Sequence, residues 1–293
     1  MIQDKWNFIS PTNIDLKGVK ASTIERFANY PASTIKDEIL SRLVNDIGIQ
    51  GRTFQTLTKA CSLQCSNLIK LTTQIIVNFE KLNLNRSEFI VNFEKLNLYN
   101  SEFVSYSTKS ELTMSKILKE CDLIRRGYKD ISLNLNRISD DFQTHKSYLE
   151  KEKYVLEQEV SNIQYRSKYE KLSLISMIAT GGILGWYYGR KLSLNLSQEK
   201  ILKENEIIRL KKSTDYIENV MNDVKFFDDK VGLFEIFWAR QIDHISVTQQ
   251  FISNANKGNV EVNDFNMQSL LASWIHAKTT LVNYQANVKA VVP

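Results

Sequence analysis

Apolar and polar positions alternate with the period of an α-helix along most of this chain. After Pro31, the residues Ile35, Ile39, Leu40, Leu43 and Ile47 recur at helical spacings. Thr34, with Asp37 three residues on, has the layout of an N-terminal cap, and Gly48 and Gly51 stand where that helix would break or bend. A short helix over 22–29 precedes it, and residues 1–21 read as irregular around Pro11 and Gly18. A second seam is formed by Ile124, Tyr128, Ile131, Leu135, Ile138, Phe142, His145, Leu149, Leu156 and Ile163. A third is formed by Ile207, Leu210, Thr214, Ile217, Met221, Val224 and Val231. Stripes this narrow require long helices that pack against one another. A helix over 190–231 would extend about 63 Å at 1.5 Å per residue, which predicts an elongated body. Gly232 marks a bend and 233–254 another helix. Lys257 to Asn259 form a turn, and Asn263 or Asp264 caps a last helix over about 265–290, with Trp274 and Ile275 in its core.

An internal repeat interrupts this pattern. Residues 77–90 read VNFEKLNLNRSEFI and residues 91–104 read VNFEKLNLYNSEFV, with eleven of fourteen positions identical. Fourteen residues are two heptads, so the duplication keeps one helix face in register and reads as the elongation of one helix. The alternation Leu82-Asn83-Leu84 leaves a strand as the competing reading.

Composition supports the helical reading. The 293 residues include three prolines, none between 32 and 292, and ten glycines, too few for a turn-rich β fold. The fold class is therefore all-α: an elongated bundle of long antiparallel amphipathic helices. The net charge of +5 lacks a dense basic cluster, because Arg125-Arg126 and Lys211-Lys212 are isolated pairs, so no nucleic acid is expected as a partner. Cys61, Cys65 and Cys121 read as reduced, structural thiols. The histidines His145, His244 and His276 are scattered, and His145 lies on an apolar stripe, so no metal and no cofactor is expected. Asp140-Asp141 and Asp228-Asp229 are adjacent pairs that point in different directions on a helix. With no phosphate loop and no nucleophile elbow either, an enzyme is not expected. The N-terminus lacks an apolar core of signal-peptide length.

One segment departs from amphipathicity. Residues 172–189 read LSLISMIATGGILGWYYG and contain no charge, with Lys168 and Lys171 before them and Arg190 and Lys191 after them. The candidate membrane-insertion residues are Leu172, Leu174, Ile175, Met177, Ile178, Ile183, Leu184, Trp186, Tyr187 and Tyr188. The candidate hinges are Gly181, Gly182, Gly185 and Gly189. Three readings stand. As one transmembrane helix, the segment is about 27 Å long against a hydrocarbon core of about 30 Å. It would make the chain a coiled-coil tether. As a hairpin folded about Gly181-Gly182, it would be sheltered in a soluble form and released at a membrane, with the flanking seams paired antiparallel. As a buried element, it would serve a purely structural helical bundle. The chain divides accordingly into an irregular segment with a short helix (1–33), long bundle helices (34–171), the apolar hairpin (172–189), and a return helix with C-terminal bundle helices (190–293).

Long amphipathic helices on both sides of one apolar hairpin, LSLISMIATGGILGWYYG, resemble the α-helical pore-forming toxins. That group includes cytolysin A, the haemolysin BL and non-haemolytic enterotoxin components, and the Xax/Yax two-component toxins. The aromatic-rich run FFDDKVGLFEIFWARQIDHI, residues 226–245, is similar in character to the helix that follows the second long helix of such proteins. The resemblance covers about 34–290. It implies a soluble bundle whose apolar tongue enters the bilayer while several protomers close a ring. The implied partners are a lipid membrane and either further copies of the chain or a second toxin component. It also implies a soluble form exported without a secretory signal peptide, which then moves to a target-cell membrane. The apolar segment is shorter than some tongues of that group.

Overall fold

The computed structural model describes the backbone of residues 19–89, 93–257 and 264–291. It describes their side chains except at 82–103, 170–190, 192–193, 264–265 and 290–291. Among the described residues there are four helices and no strand: α1 (Ala21–Ala28), α2 (Glu38–Phe89), α3 (Phe93–Asn256) and α4 (Asp264–Val291). The chain is all-α, and its long helices pack on one another. It divides into two compact units, one comprising Met1–Pro31, Asn45–Asn136 and Phe226–Pro293, the other Ala32–Val44 and Arg137–Lys225.

In the first unit α2 and α3 run antiparallel. Thr58 Oγ1 meets Tyr128 Oη at 3.2 Å, Asn78 Nδ2 donates to Ser110 Oγ at 3.2 Å, and Asn134 Nδ2 donates to Gln50 Oε1 at 3.4 Å. These pairs are centred on residues 92–94. The duplication therefore does not elongate one helix: its first copy lies on α2, which ends at Phe89, and its second on α3, which begins at Phe93. The strand reading of 82–84 also falls, because that backbone is helical. The C-terminal part of α3 returns along the same bundle, where Ser132 Oγ donates to Asp228 Oδ1 at 2.5 Å and Ser107 Oγ to Asn256 Oδ1 at 3.0 Å.

An aromatic core joins these helices. Phe27 of α1 stacks on Phe227 at 4.3 Å. Phe54 of α2 meets Phe227 and Phe234 edge-on at 5.5 and 5.1 Å. Tyr284 of α4 stacks on Phe237 at 4.1 Å and accepts a hydrogen bond from Trp238 Nε1. Each ring pair adds about 0.5–1.5 kcal/mol beyond the area it buries. The aromatic run after the third seam is thus the centre of this unit, although Phe226 within it is exposed.

The helix also runs through Gly48 and Gly51, where a break or bend was expected. Gly51 serves a close approach instead, because a β-carbon there would lie 2.1 Å from the Phe27 carbonyl oxygen. α3 likewise continues through Gly232. In the last helix Trp274 is buried as expected, but Ile275 is 46% exposed, outside the stripe that Met267, Leu270, Trp274, Leu281 and Val288 bury.

The three cysteines are free and buried in this unit. Burial pushes the Cys61 thiol up to about 11, and it raises Cys65 and Cys121 as well, helped by the neighbouring thiols. Tyr128 Oη donates to Cys61 Sγ at 3.5 Å. Inert packing groups are the result.

In the second unit the cap of α2 differs from the expected one. Asp37, not Thr34, caps the helix: its Oδ1 accepts from Leu40 N at 3.0 Å, and the helix starts at Glu38. The Ser33 hydroxyl is engaged with Ile35 in a local turn, which keeps the preceding residues out of the helix. Leu40 and Leu43 are buried as the pattern requires, whereas Ile39 is 43% exposed.

Candidate membrane-inserting site

The site is built by the two arms of α3 in the second unit. Their seams carry Phe142, Leu149, Val160 and Ile163 on the outgoing arm and Leu210, Ile217, Val220 and Val224 on the return arm, all buried. His145 lies on the outgoing seam, 8% exposed, with Nε2 2.9 Å from Asp37 Oδ2. It is a packed side chain tied to the α2 cap.

Polar pairs fix the direction of the arms. Lys146 Nζ lies 2.5 Å from Glu218 Oε1, and Lys203 Nζ lies 2.7 Å from Glu159 Oε2. These pairs are centred on residues 182 and 181. The arms are therefore antiparallel, and the chain turns back between Tyr169 and Leu194. The fold thus brings the flanking seams together, as the hairpin reading expects, and Gly181-Gly182 falls at the centre of symmetry.

The backbone of 172–189 belongs to α3. The side chains of Leu172, Leu174, Ile175, Met177, Ile178, Ile183, Leu184, Trp186, Tyr187 and Tyr188 lie outside the described residues, as do the surroundings of Gly181, Gly182, Gly185 and Gly189. Among the described residues no helix is long and apolar enough to cross a membrane, and none of their His, Cys, Asp or Glu groups could hold a metal ion.

The ends of the arms carry features that the sequence reading passed over. Tyr165 and Tyr169 are 62% and 57% exposed, with ring centroids 4.7 Å apart and their hydroxyls 2.9 Å apart. Their spacing of four is the signal that marks such a pair on a helix. Two shallow grooves lie between the arms on opposite sides of Ile163. One, of about 210 Å³, contains Glu159, Glu199, Arg166 and Lys203. The other, of about 190 Å³, contains Gln164, Ser167, Lys168, Ser197 and Lys200, and among the described residues no carboxylate lines it.

No family model and no curated protein matches the sequence. Solved structures do match. The soluble AhlC triple head mutant of the tripartite alpha-pore forming toxin AHL from Aeromonas hydrophila aligns over 92% of this chain and 93% of its own. It does so with a TM-score of 0.57 and 16% identity. Soluble AhlC itself aligns over 92% and 94% with a TM-score of 0.48 and 15% identity. XaxA from Xenorhabdus nematophila aligns over 94% and 90% with a TM-score of 0.45 and 9% identity. At these identities the likeness concerns the fold, and on the first of them this chain shares the fold of AhlC along nearly its whole length.

Proposed function

We propose that this chain is a component of an α-pore-forming toxin. In this reading a soluble helical bundle releases the apolar end of its hairpin, residues 172–189, into a membrane, and several protomers then oligomerise to permeabilise it. One observation carries the reading. The ion pairs between the antiparallel arms are centred on Gly181-Gly182, which supports a hairpin with the longest uncharged run of the sequence at its end. The shared fold with AhlC, a component of a tripartite alpha-pore forming toxin, supports it.

The physical logic is a change of solvent. Leu172, Leu174, Ile175, Met177, Ile178, Ile183 and Leu184 gain in a bilayer the apolar surroundings they lose on leaving their shelter. Trp186, Tyr187 and Tyr188 suit the headgroup layer. Gly181, Gly182, Gly185 and Gly189 allow the backbone to change conformation. A single-span tether fits less well, because paired arms enter from the same side. Folded at Gly181-Gly182, each half of the segment is nine residues, about 14 Å of helix against a core of about 30 Å. A full pore therefore needs the neighbouring amphipathic helices, further copies of the chain, or a second component. The role is one of insertion and assembly rather than catalysis, with export preceding action at a target-cell membrane.

Dye release from liposomes tests this. The wild-type chain, alone or with its partner components, is expected to release dye. Ile178→Asp should abolish release while leaving the helical content and solubility of the bundle unchanged. Undiminished release by that variant would remove residues 172–189 from the mechanism.

A further inference from the structure

The charge of the chain is concentrated where the hairpin ends. Residues 160–200 contain Arg166, Lys168, Lys171, Arg190, Lys191 and Lys200 against Glu170 and Glu199, a local net charge of +4 out of the +5 of the whole chain. The remaining 252 residues are almost neutral. This excess flanks the uncharged segment on both sides, so it lies at the level where an inserted hairpin would leave the hydrocarbon.

The two grooves between the arms differ in what they can hold. In the first, Lys203 is paired with Glu159 at 2.7 Å and faces Glu199 at 3.9 Å, so two carboxylates stand beside Lys203 and Arg166. An anion entering there meets like charge. The second offers, among the described residues, the ammonium groups of Lys168 and Lys200, the Ser167 hydroxyl and the Gln164 amide, and none of the described residues that line it is a carboxylate. Lys200 also reaches Glu204 at 3.4 Å, one turn further from the hairpin end and outside the groove. Cations with hydroxyl and amide donors are a donor set for a phosphate group. The Tyr165–Tyr169 pair stands on the outgoing arm at the same level, and tyrosines of this kind are enriched in the interfacial layer of membranes.

We propose that the groove of Lys168, Lys200, Ser167 and Gln164 seats the phosphate of an anionic lipid headgroup, with Tyr165 and Tyr169 beside it in the interfacial layer. The hairpin then selects negatively charged membranes before its apolar end enters. The inference rests on the membrane-inserting reading above and adds the lipid class to it.

Binding and release separate the two claims. The intact chain is co-sedimented with vesicles of phosphatidylcholine alone and with vesicles containing a third phosphatidylserine, and dye release is read in parallel. Binding to the anionic vesicles should be at least ten-fold tighter and should weaken as salt is raised. Lys168→Gln with Lys200→Gln should lower that affinity roughly 25-fold, about five-fold for each basic residue lost, whereas Lys168→Arg with Lys200→Arg should retain it. Lys211→Gln with Lys212→Gln, on the same arm but away from the hairpin end, should have little effect. Equal binding to both vesicle types would overturn the headgroup proposal while dye release still upheld the pore reading. An equal loss with the Lys211 and Lys212 variant would also overturn it, because the attraction would then be diffuse. Selective binding without release, both by the chain alone and with its partner components, would sustain the headgroup site and refute the pore reading.

Discussion

Three helical glycines of the first unit form a graded experiment on how α1 is seated. Gly→Ala inside a helix gains about 1 kcal/mol from propensity alone, so any loss measures the surroundings. At Gly51 the new β-carbon would lie 2.1 Å from Phe27 O, 2.2 Å from Phe27 C and 2.5 Å from Ala28 N, where ordinary contact begins at 3.4 Å. These are backbone atoms, so relief requires α1 to retreat by more than 1 Å. Phe27 is fully buried and stacks on Phe227 at 4.3 Å, so a retreat takes that ring with it. Overpacking costs about 1–3 kcal/mol, and outright loss of a buried phenylalanine costs about 3–5 kcal/mol.

The clash outweighs the propensity, and Gly51→Ala should lose about 2 kcal/mol net. At Gly127 the nearest atom is Leu57 Cδ2 at 2.9 Å, the end of a side chain that can turn aside, so Gly127→Ala should be close to neutral. At Gly232 nothing lies within 4 Å, and Gly232→Ala should gain about 0.5–1 kcal/mol. Urea unfolding followed by far-ultraviolet circular dichroism and tryptophan fluorescence reads all three. A Gly51→Ala chain as stable as Gly232→Ala would refute the seating of α1 on α2 described above.

Two further perturbations test buried polar groups. Burial, with His276 nearby, pushes His244 down to about 4 from its ordinary 6.5, so the unfolded chain binds the extra proton first and stability falls as pH drops from 6.5 towards 4. At pH 4.5 this loss is about 2.5 kcal/mol. His244→Phe should remove it, appearing in urea midpoints as a smaller difference between pH 7 and pH 4.5 than the wild type shows. An unchanged difference would mean that the ring is not buried neutral. Burial raises the Asp37 carboxyl, but the Leu40 N–H and His145 outweigh it and hold the group below its usual range. Asp37→Ala removes both the cap and the partner of His145 and should cost about 2 kcal/mol, whereas Asp37→Asn keeps the cap and should cost about half as much. Equal costs in urea unfolding would show that the cap contributes nothing.

Periodicity made most of the packing legible. Ile124, Tyr128, Ile131 and Leu135 are buried as read, and so are Phe142, Leu149, Ile163, Leu210, Ile217 and Val224, because a heptad seam survives whatever partner it meets. What periodicity does not contain is the partner. Between the last residue of α2, Phe89, and the first of α3, Phe93, the sequence holds no glycine or proline to announce a reversal, so the repeat read as one helix. Ile39 and Ile275 read as core because hydropathy does not say which side of a stripe faces water. At the candidate site the apolar segment was visible from its lack of charge alone. The difference between the two grooves was not, since it depends on which residues of one arm face which of the other, and that follows only from the pairing about Gly181-Gly182.

The placement of the repeat has a physical consequence. Its copies, 77–90 and 91–104, meet where α2 gives way to α3, and the pairs Gln50–Asn134, Thr58–Tyr128 and Asn78–Ser110 are centred there. Fourteen residues inserted at a reversal add seven to each arm. Seven residues turn a helix by nearly two full turns, leaving a drift of only about 20°. Phe79 and Ile75 on α2 thus keep their core-facing direction, and so do Ser107, Ser110 and Met114 on α3. An insertion of ten would add five to each arm and rotate both stripes by about 140°, turning the apolar face of one arm away from the other. The length of the duplication is therefore what an antiparallel helical pair tolerates at its end. The same rule applies to the α3 arms around Gly181-Gly182, where changes in length at the hairpin end keep the Lys146–Glu218 and Glu159–Lys203 pairs aligned when each arm gains a near-whole number of turns, as about seven or eleven residues do.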